Sequence, residues 1–439
     1  MPNKTFRDID NQVLASLGRP SRGYLAILGI CLLLVLAGVT AYGFIYFIGF
    51  GVTGLNVPVS WAVLITNFVF WIGIAHSGTL ISAILFLFRT RWRNGINRAA
   101  EAMTIFAIMT AGMFPLAHLG RLWVAYWLLP YPNYRHLWPN FKSPLVWDVV
   151  AVTTYFTVSL LFFYLGLIPD LATARDKTEG RRKRLYSVLS LGWTGRYEQW
   201  RHYARGYLAL AALATPLVIS VHSVVSWDFA MSILPGWHTT IFAPYFVAGA
   251  IHSGLAMVIT LLIPLRKALR LERILTPYYF EQMALLLILT GSIVGYAYVV
   301  EGFMSWYSAD KFERQFVSWR VFGSYSVFFW LMVVCNVVTP MTFFFKRLRT
   351  SFTWLMIAAI LINIGMWFER FVIIVTSLSH GFLPSTWGLY APRLVEILIT
   401  LMAFGFFFFL FLCFVKLFPS IPMSELKEQT LPRMEETDA

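Results

Sequence analysis

The chain has 439 residues, 58% of them hydrophobic and 13% charged, and its mean hydropathy of +0.67 lies far above that of soluble globular proteins. Lys and Arg outnumber Asp and Glu by 35 to 21, a net charge of +14. This excludes a soluble enzyme, and the positions of the charges, described below, remove the need for nucleic acid as a partner.

Ten apolar segments are long enough to cross a bilayer, which takes about 20 helical residues. They are 23–50, 60–88, 99–128, 145–168, 205–227, 241–264, 277–301, 319–345, 351–377 and 392–416. Barrel strands would instead alternate over about ten residues. The fold class is therefore an all-α polytopic membrane protein.

A polar tail, 1–22, precedes the first segment, 23–50, which is too long for a signal-peptide core and reads as a retained helix. The second segment carries "GIAHSG" at 73–78, with His76 and Ser77 near mid-membrane. The third and fourth are joined through "MFPLAHLGRLWVAYWLLPYPNYRHLWPNFKSPLVWDVVAV", 113–152. The basic connection 169–205 predicts a short surface helix whose charges are solvated or face lipid. The fifth segment places His222, followed by Ser223, near its outer end, with Asp228 at the interface.

The sixth segment repeats the G-x-x-H-S-G pattern as "GAIHSG", 249–254, with His252 and Ser253, at an offset of 176 residues. "LPGWHTTIFAP" (234–244) and "LPSTWGLYAP" (383–392) echo one another after the fifth and ninth segments. These matches predict two four-helix bundles of the same sense, 60–227 and 241–377, with helices 23–50 and 392–416 added. One undivided bundle is the alternative. Glu301, Glu369, Arg370 and Glu396 fall in the outer halves of segments seven, nine and ten, as a buried ion-pair network or a proton path. The tail 417–439 reads as flexible or as an extended contact to a neighbour.

With the amino terminus inside, 27 Lys and Arg fall in the inner connections and tails and six in the outer ones. Both termini are thus expected in the cytoplasm. The outer six are Arg135, Lys142, Lys311, Arg314, Arg320 and Arg393; Arg121 and Arg370 lie within helices. The third helix then runs outward and the fourth returns, so His118, Arg121 and Asp148 gather near the outer surface.

Cys31, Cys335 and Cys413 stand alone, without CxxC, CxxCH or iron–sulfur spacing, and no Walker or Rossmann glycine pattern occurs. No metal, haem or cluster is expected in this chain. Ionisable groups at membrane depth cost about 2.5–3.5 kcal/mol each when unpaired, so they need partners or a purpose. His118 and Arg121, three apart, would share a helical face, opposite Asp148. Such a set suits a substrate that releases protons on oxidation: Asp148, kept ionised by Arg121, would take one proton from a quinol, and His118 would bind the other oxygen or pass on the second proton. A purely structural Arg–Asp pair is the alternative. His222 would line the same pocket, and Tyr126, Trp127, Tyr131, Tyr134 and Trp138 would form an interface belt. His76 and His252 read as core histidines or as proton relays with Ser77 and Ser253. Two other classes remain open on the residues alone: a b-type cytochrome anchor pairing His118 with His222 and His76 with His252, and a secondary transporter.

The His–x–x–Arg pattern, the aromatic connection, the "WD" opening the fourth segment and the paired bundles resemble the polysulfide-reductase membrane-subunit family (NrfD/PsrC type). Ten helices instead of eight are most similar to the large membrane subunits of alternative complex III, the ActC type. The resemblance implies quinol (menaquinol or ubiquinol) oxidation at the outer face of the bacterial cytoplasmic membrane. Electrons would pass to an outer iron–sulfur subunit and multihaem cytochrome c subunits, beside a second related ten-helix membrane subunit. It also allows the same site to run backwards, as the quinone-reducing anchor of a molybdenum sulfur-compound reductase. Lacking a redox centre, the chain would act only as a subunit of an oxidoreductase complex.

Overall fold

A computed structural model describes residues 6–90, 92–128, 141–272 and 274–430, and among them it is helical without strands. In chain order the helices are α1 (Phe6–Ala15), α2 (Arg22–Ile48), α3 (Val63–Leu87), α4 (Asn97–His118), α5 (Pro144–Asp176), α6 (Gly180–Leu189), α7 (Tyr197–Ala230), α8 (Phe242–Ala268), α9 (Pro277–Tyr307), α10 (Lys311–Phe322), α11 (Ser326–Phe344), α12 (Phe352–Ser379), α13 (Leu394–Leu417) and α14 (Met423–Thr430). Ten are long and apolar enough to span a membrane: α2–α5, α7–α9 and α11–α13. α1, α6 and α14 lie on one side, here the tail side; α10 lies on the far side.

α3 and α8 form the centre. Their most apolar stretches are 83% and 78% buried, against 17% for α2. α3 packs on α4, α7, α8 and α12, while α8 packs on α7, α9 and α12. α2 packs chiefly along α13, which in turn contacts α3 and α4. The two G-x-x-H-S-G stretches meet where α3 crosses α8. A side-chain carbon at Gly254 would overlap Ser77 and the Ile74 carbonyl, and one at Gly73 would touch Ser253. Gly78 likewise lets α3 approach the Ala100 backbone of α4. Inside lipid, where apolar surface gives no hydrophobic drive, small residues that permit such close approach hold helices together.

Several boundaries differ from the sequence expectation: the fourth span runs on to Asp176, the fifth begins at Tyr197 and the seventh ends at Tyr307, and three further differences have an evident cause. The third span ends at His118, ten residues early, because Gly120 takes a positive φ of 69° and breaks the helix. Residues 122–128 continue as a 3₁₀ turn. The eighth span splits into the surface helix α10 and the shorter α11 at Gly323, where any side chain would collide with Trp319. The tail beyond 417 contains α14, with Met423 and Leu426 buried. α14 packs on α1, where Lys427 Nζ reaches Asp10 at 2.7 Å.

α14 also completes a buried ionic cluster at the tail-side ends of α4, α5 and α7. Arg98 pairs with Glu101 (2.9 Å) and Asp170 (3.2 Å), and Arg93 pairs with Glu425 of α14 (3.0 Å). The Tyr207 hydroxyl donates to Glu101 at 3.1 Å, and Asn97 donates to Glu425 at 2.9 Å.

Candidate functional site at the far-side ends of α4, α5 and α7

His118 is the last residue of α4, half-buried, with an Nδ1 atom that has no hydrogen-bond partner among the described residues. Aromatic rings surround it. Phe50 lies 6.3 Å away, and its ring fills the space that a side chain on Gly120 would need. Trp61 meets His118 edge-on at 6.3 Å and meets Phe229 edge-on at 6.2 Å. Trp237 closes this wall, 4.9 Å from Phe229, and its indole N–H is fixed on the Ile373 carbonyl at 2.7 Å.

Asp148 sits one turn into α5 and is buried. Its neighbour is another acid: the side chains of Asp148 and Asp228, on α7, lie in hydrogen-bonding contact. One oxygen of each, Oδ1, has no partner among the described residues. Two carboxyl groups in contact in a low-dielectric site do not both carry charge without a large cost, so the pair is suited to holding and exchanging protons.

Arg121 does not join them. Because Gly120 breaks the helix, Arg121 is exposed and lies over the Trp123 ring at 5.7 Å, and no ion pair links it to Asp148. The expectation that His118 and Arg121 share a helical face is corrected by that turn. His222 also stands elsewhere. It is fully buried about two turns below Asp228, its ring 4.6 Å from that of His76. His222 faces His76 rather than His118, and His252 Nδ1 is bonded to the Thr290 hydroxyl at 2.8 Å. His76 Nδ1 donates to the Ile72 carbonyl at 2.6 Å, and Tyr155, 5.2 Å away, bonds Thr79 at 2.8 Å. Ser253 donates to the Ala250 carbonyl at 3.0 Å, and Ser77 packs against Gly254.

The acids of the second half separate into three arrangements. Glu369 pairs with Arg370 at 2.8 Å, accepts from Tyr298, and receives Asn336 Nδ2 at 3.4 Å; Arg370 also lies over Phe246 at 4.3 Å. Glu301 pairs with Arg320 at 2.5 Å. Glu396 accepts from Tyr390 (2.5 Å) and from the Gly54 backbone (2.7 Å), pinning the loop before α3 onto α13. Of the aromatic belt, Tyr126 is exposed; Tyr131, Tyr134 and Trp138 lie outside the described residues, as does the side chain of Trp127.

Residues 51–380 match the family described as polysulphide reductase, NrfD. The chain belongs to the NrfD family. The match runs from just before α3 to just after α12, leaving α2 and α13 outside it. Three relatives of this NrfD chain illustrate the range. A protein of Halobacterium salinarum, provisionally named as a dimethyl sulfoxide reductase membrane subunit, is 29% identical over 250 residues, 56% of this chain and 52% of its own. The Hdr-like menaquinol oxidoreductase integral membrane subunit of Archaeoglobus fulgidus is 22% identical over 424 residues, 90% and 95% of the two chains. A selenate reductase subunit of Mesobacillus selenatarsenatis is 22% identical over 223 residues, 48% and 50%. The match thus spans about half the length of the first and third relatives and nearly all of the second.

Sequence reasoning treated Asp228 as interfacial and passed over Arg98, Glu101 and Asp170. Asp228 is partly buried and sits at the end of an apolar run, shortly before "LPGW", where nothing in one dimension shows that it meets Asp148. Arg98 and Glu101 did carry a signal, a charge pair at i,i+3 opening an apolar helix.

Proposed function

We propose that this NrfD-family chain is the quinol-binding membrane subunit of a respiratory or photosynthetic electron-transfer complex. The observation that carries the reading is the contact between the buried carboxyl group of Asp148 and the partly buried one of Asp228, at the same membrane level as His118 and its aromatic wall. Oxidation of a quinol releases two protons and two electrons. The carboxyl pair accepts one proton, His118 Nδ1 accepts the other, and Trp61 and Phe50 flank the ring. The electrons leave to a centre on a partner subunit. Asp148, Asp228 and His118 are the catalytic residues in this reading; Arg121 and His222 are not.

The excess of Lys and Arg on the tail side supports a cytoplasmic location for both termini in a bacterial inner membrane. The site then faces outward, toward an iron–sulfur subunit and multihaem cytochromes, with a second related membrane subunit alongside. Menaquinol is the favoured substrate, because one relative is named as a menaquinol oxidoreductase subunit. A proton path would use the buried groups of the centre: His76, His222, Ser77, His252, Ser253, Glu369 and Arg370, with Glu301 at its outer end. Two relatives named as reductase subunits support a second reading, in which the same pocket works in the opposite direction and reduces quinone for a molybdenum reductase.

Photolabelling of the purified complex with an azido-menaquinone tests the site. Label is expected on peptides containing 113–118, 144–152 and 226–237, and excess menaquinol should compete it away. Label confined to other helices would overturn the assignment. Co-purifying multihaem cytochromes would favour oxidation, and a molybdenum subunit the reverse direction.

A further inference from the structure

A cavity lies far from this site. It is a cleft of about 570 Å³ between α4, α5 and α13, with walls that include Phe106, Leu161, Leu167, Leu410, Phe414 and Leu417. Its volume falls within the about 300–1,000 Å³ of small-molecule sites, and its walls offer almost no polar atoms. Leu160, Leu161 and Leu417 are 40%, 51% and 45% exposed, so the cleft opens toward lipid. Phe106 and Leu160 lie 12 residues below His118 and Asp148, or about 18 Å at the helical rise, which puts the cleft in the tail-side leaflet.

The C-terminal end of the basic helix α6 is tied to the rim of the cleft. The Tyr164 hydroxyl of α5 donates to the Leu189 carbonyl at 2.8 Å, and the Tyr186 hydroxyl of α6 donates to the Leu417 carbonyl of α13 at 2.7 Å. Leu189 itself lines the cleft. The opening turns of α6 carry Arg181, Arg182, Lys183 and Arg184. Cations are unfavourable at a helix N-terminus, where the dipole is already positive. Among the described residues only Arg182 has a protein acceptor, the Leu17 carbonyl at 2.5 Å, and Arg181, Lys183 and Arg184 make no ion pair there. Along the helix, Arg181, Leu185 and Leu189 follow at i+4 spacing on one face, and Arg184 and Val188 on the next. Leu185 and Val188 are exposed. Arg184 is about 8 Å from Leu189 along the axis, within reach of a headgroup whose chain enters the cleft.

We propose that this cleft binds one anionic phospholipid, an acyl chain between α5 and α13 and the phosphate held by Arg181, Lys183 and Arg184. The lipid joins α6 to the bundle, and an anion at the N-terminus of α6 offsets both the clustered cations and the dipole. The assignment does not rest on the quinol reading.

Native mass spectrometry of the delipidated full chain, with phosphatidylglycerol or phosphatidylcholine added, tests it. Wild type should retain one phosphatidylglycerol per chain at least about tenfold better than phosphatidylcholine. Leu161→Trp, which fills the cleft, should lose the retained lipid of either kind. Arg181→Gln with Arg184→Gln should keep the thermal unfolding of the lipid-free chain and lose the headgroup preference. If Leu161→Trp does not fold, the double charge variant decides alone. Equal retention of the two lipids by wild type, an undiminished preference in the charge variant, or displacement of the bound lipid by stoichiometric menaquinone would overturn the proposal.

Discussion

The same two helices, α4 and α5, carry charged groups at both ends, and the two ends are built on opposite principles. At the tail side, Arg98 lies between Glu101 and Asp170 at 2.9 and 3.2 Å, with Tyr207, Arg93 and Glu425 completing the cluster. Each charge there faces an opposite one. At the far side, Asp148 faces Asp228, His118 presents an Nδ1 without a partner among the described residues, and the nearby Arg121 is turned away over Trp123. A buried cluster of opposite charges fixes helices against one another, since removing one member strands the others. Like groups in contact, with an open imidazole at the same membrane level, leave proton-binding capacity unused, which suits a site that takes up protons.

This contrast predicts that substitutions at the two ends affect different observables. Arg98→Met should lower stability by about 3–5 kcal/mol, because it leaves Glu101 and Asp170 buried without a counter-charge. Denaturant unfolding in detergent would measure the loss, and the folded fraction should oxidise quinol at nearly the wild-type rate. Asp148→Asn should do the reverse, cutting quinol oxidation by the purified complex at least about a hundredfold with little change in unfolding. An equal loss of stability in both variants would erase the distinction between the ends.

Finer effects sharpen the account of the far-side pair. If Asp148 and Asp228 act as one unit, the double variant Asp148→Asn/Asp228→Asn should be within about threefold of the slower single variant, well short of the product of the two losses. Steady-state assays on all three would separate a shared site from two independent ones. The smallest effect is expected for Arg121→Gln, less than about threefold in rate, since Arg121 touches neither carboxyl group. A large loss there would mean that Arg121 turns inward when substrate binds.

The ten spans were legible because apolar runs of bilayer length have few alternative fates, and His118 and Asp148 stood out as polar groups at their far-side ends. Gly120 was visible in the sequence, but its role was not. Only the backbone shows that it ends α4 and parts Arg121 from His118. Asp228 was undervalued for a different reason: its importance comes from contact with a residue 80 positions earlier, on a helix that no periodicity links to its own. α14 escaped notice because its helix is stabilised by long-range contacts, Asn97 and Arg93 to Glu425, with little local pattern to announce it.

Redox-difference infrared spectroscopy of the purified complex tests the central claim most directly, that the Asp148–Asp228 pair receives a quinol proton. Quinol oxidation should produce a carboxyl protonation signal that disappears in Asp148→Asn and in Asp228→Asn alike. A signal of wild-type size in both variants would contradict the account and place the proton acceptor elsewhere.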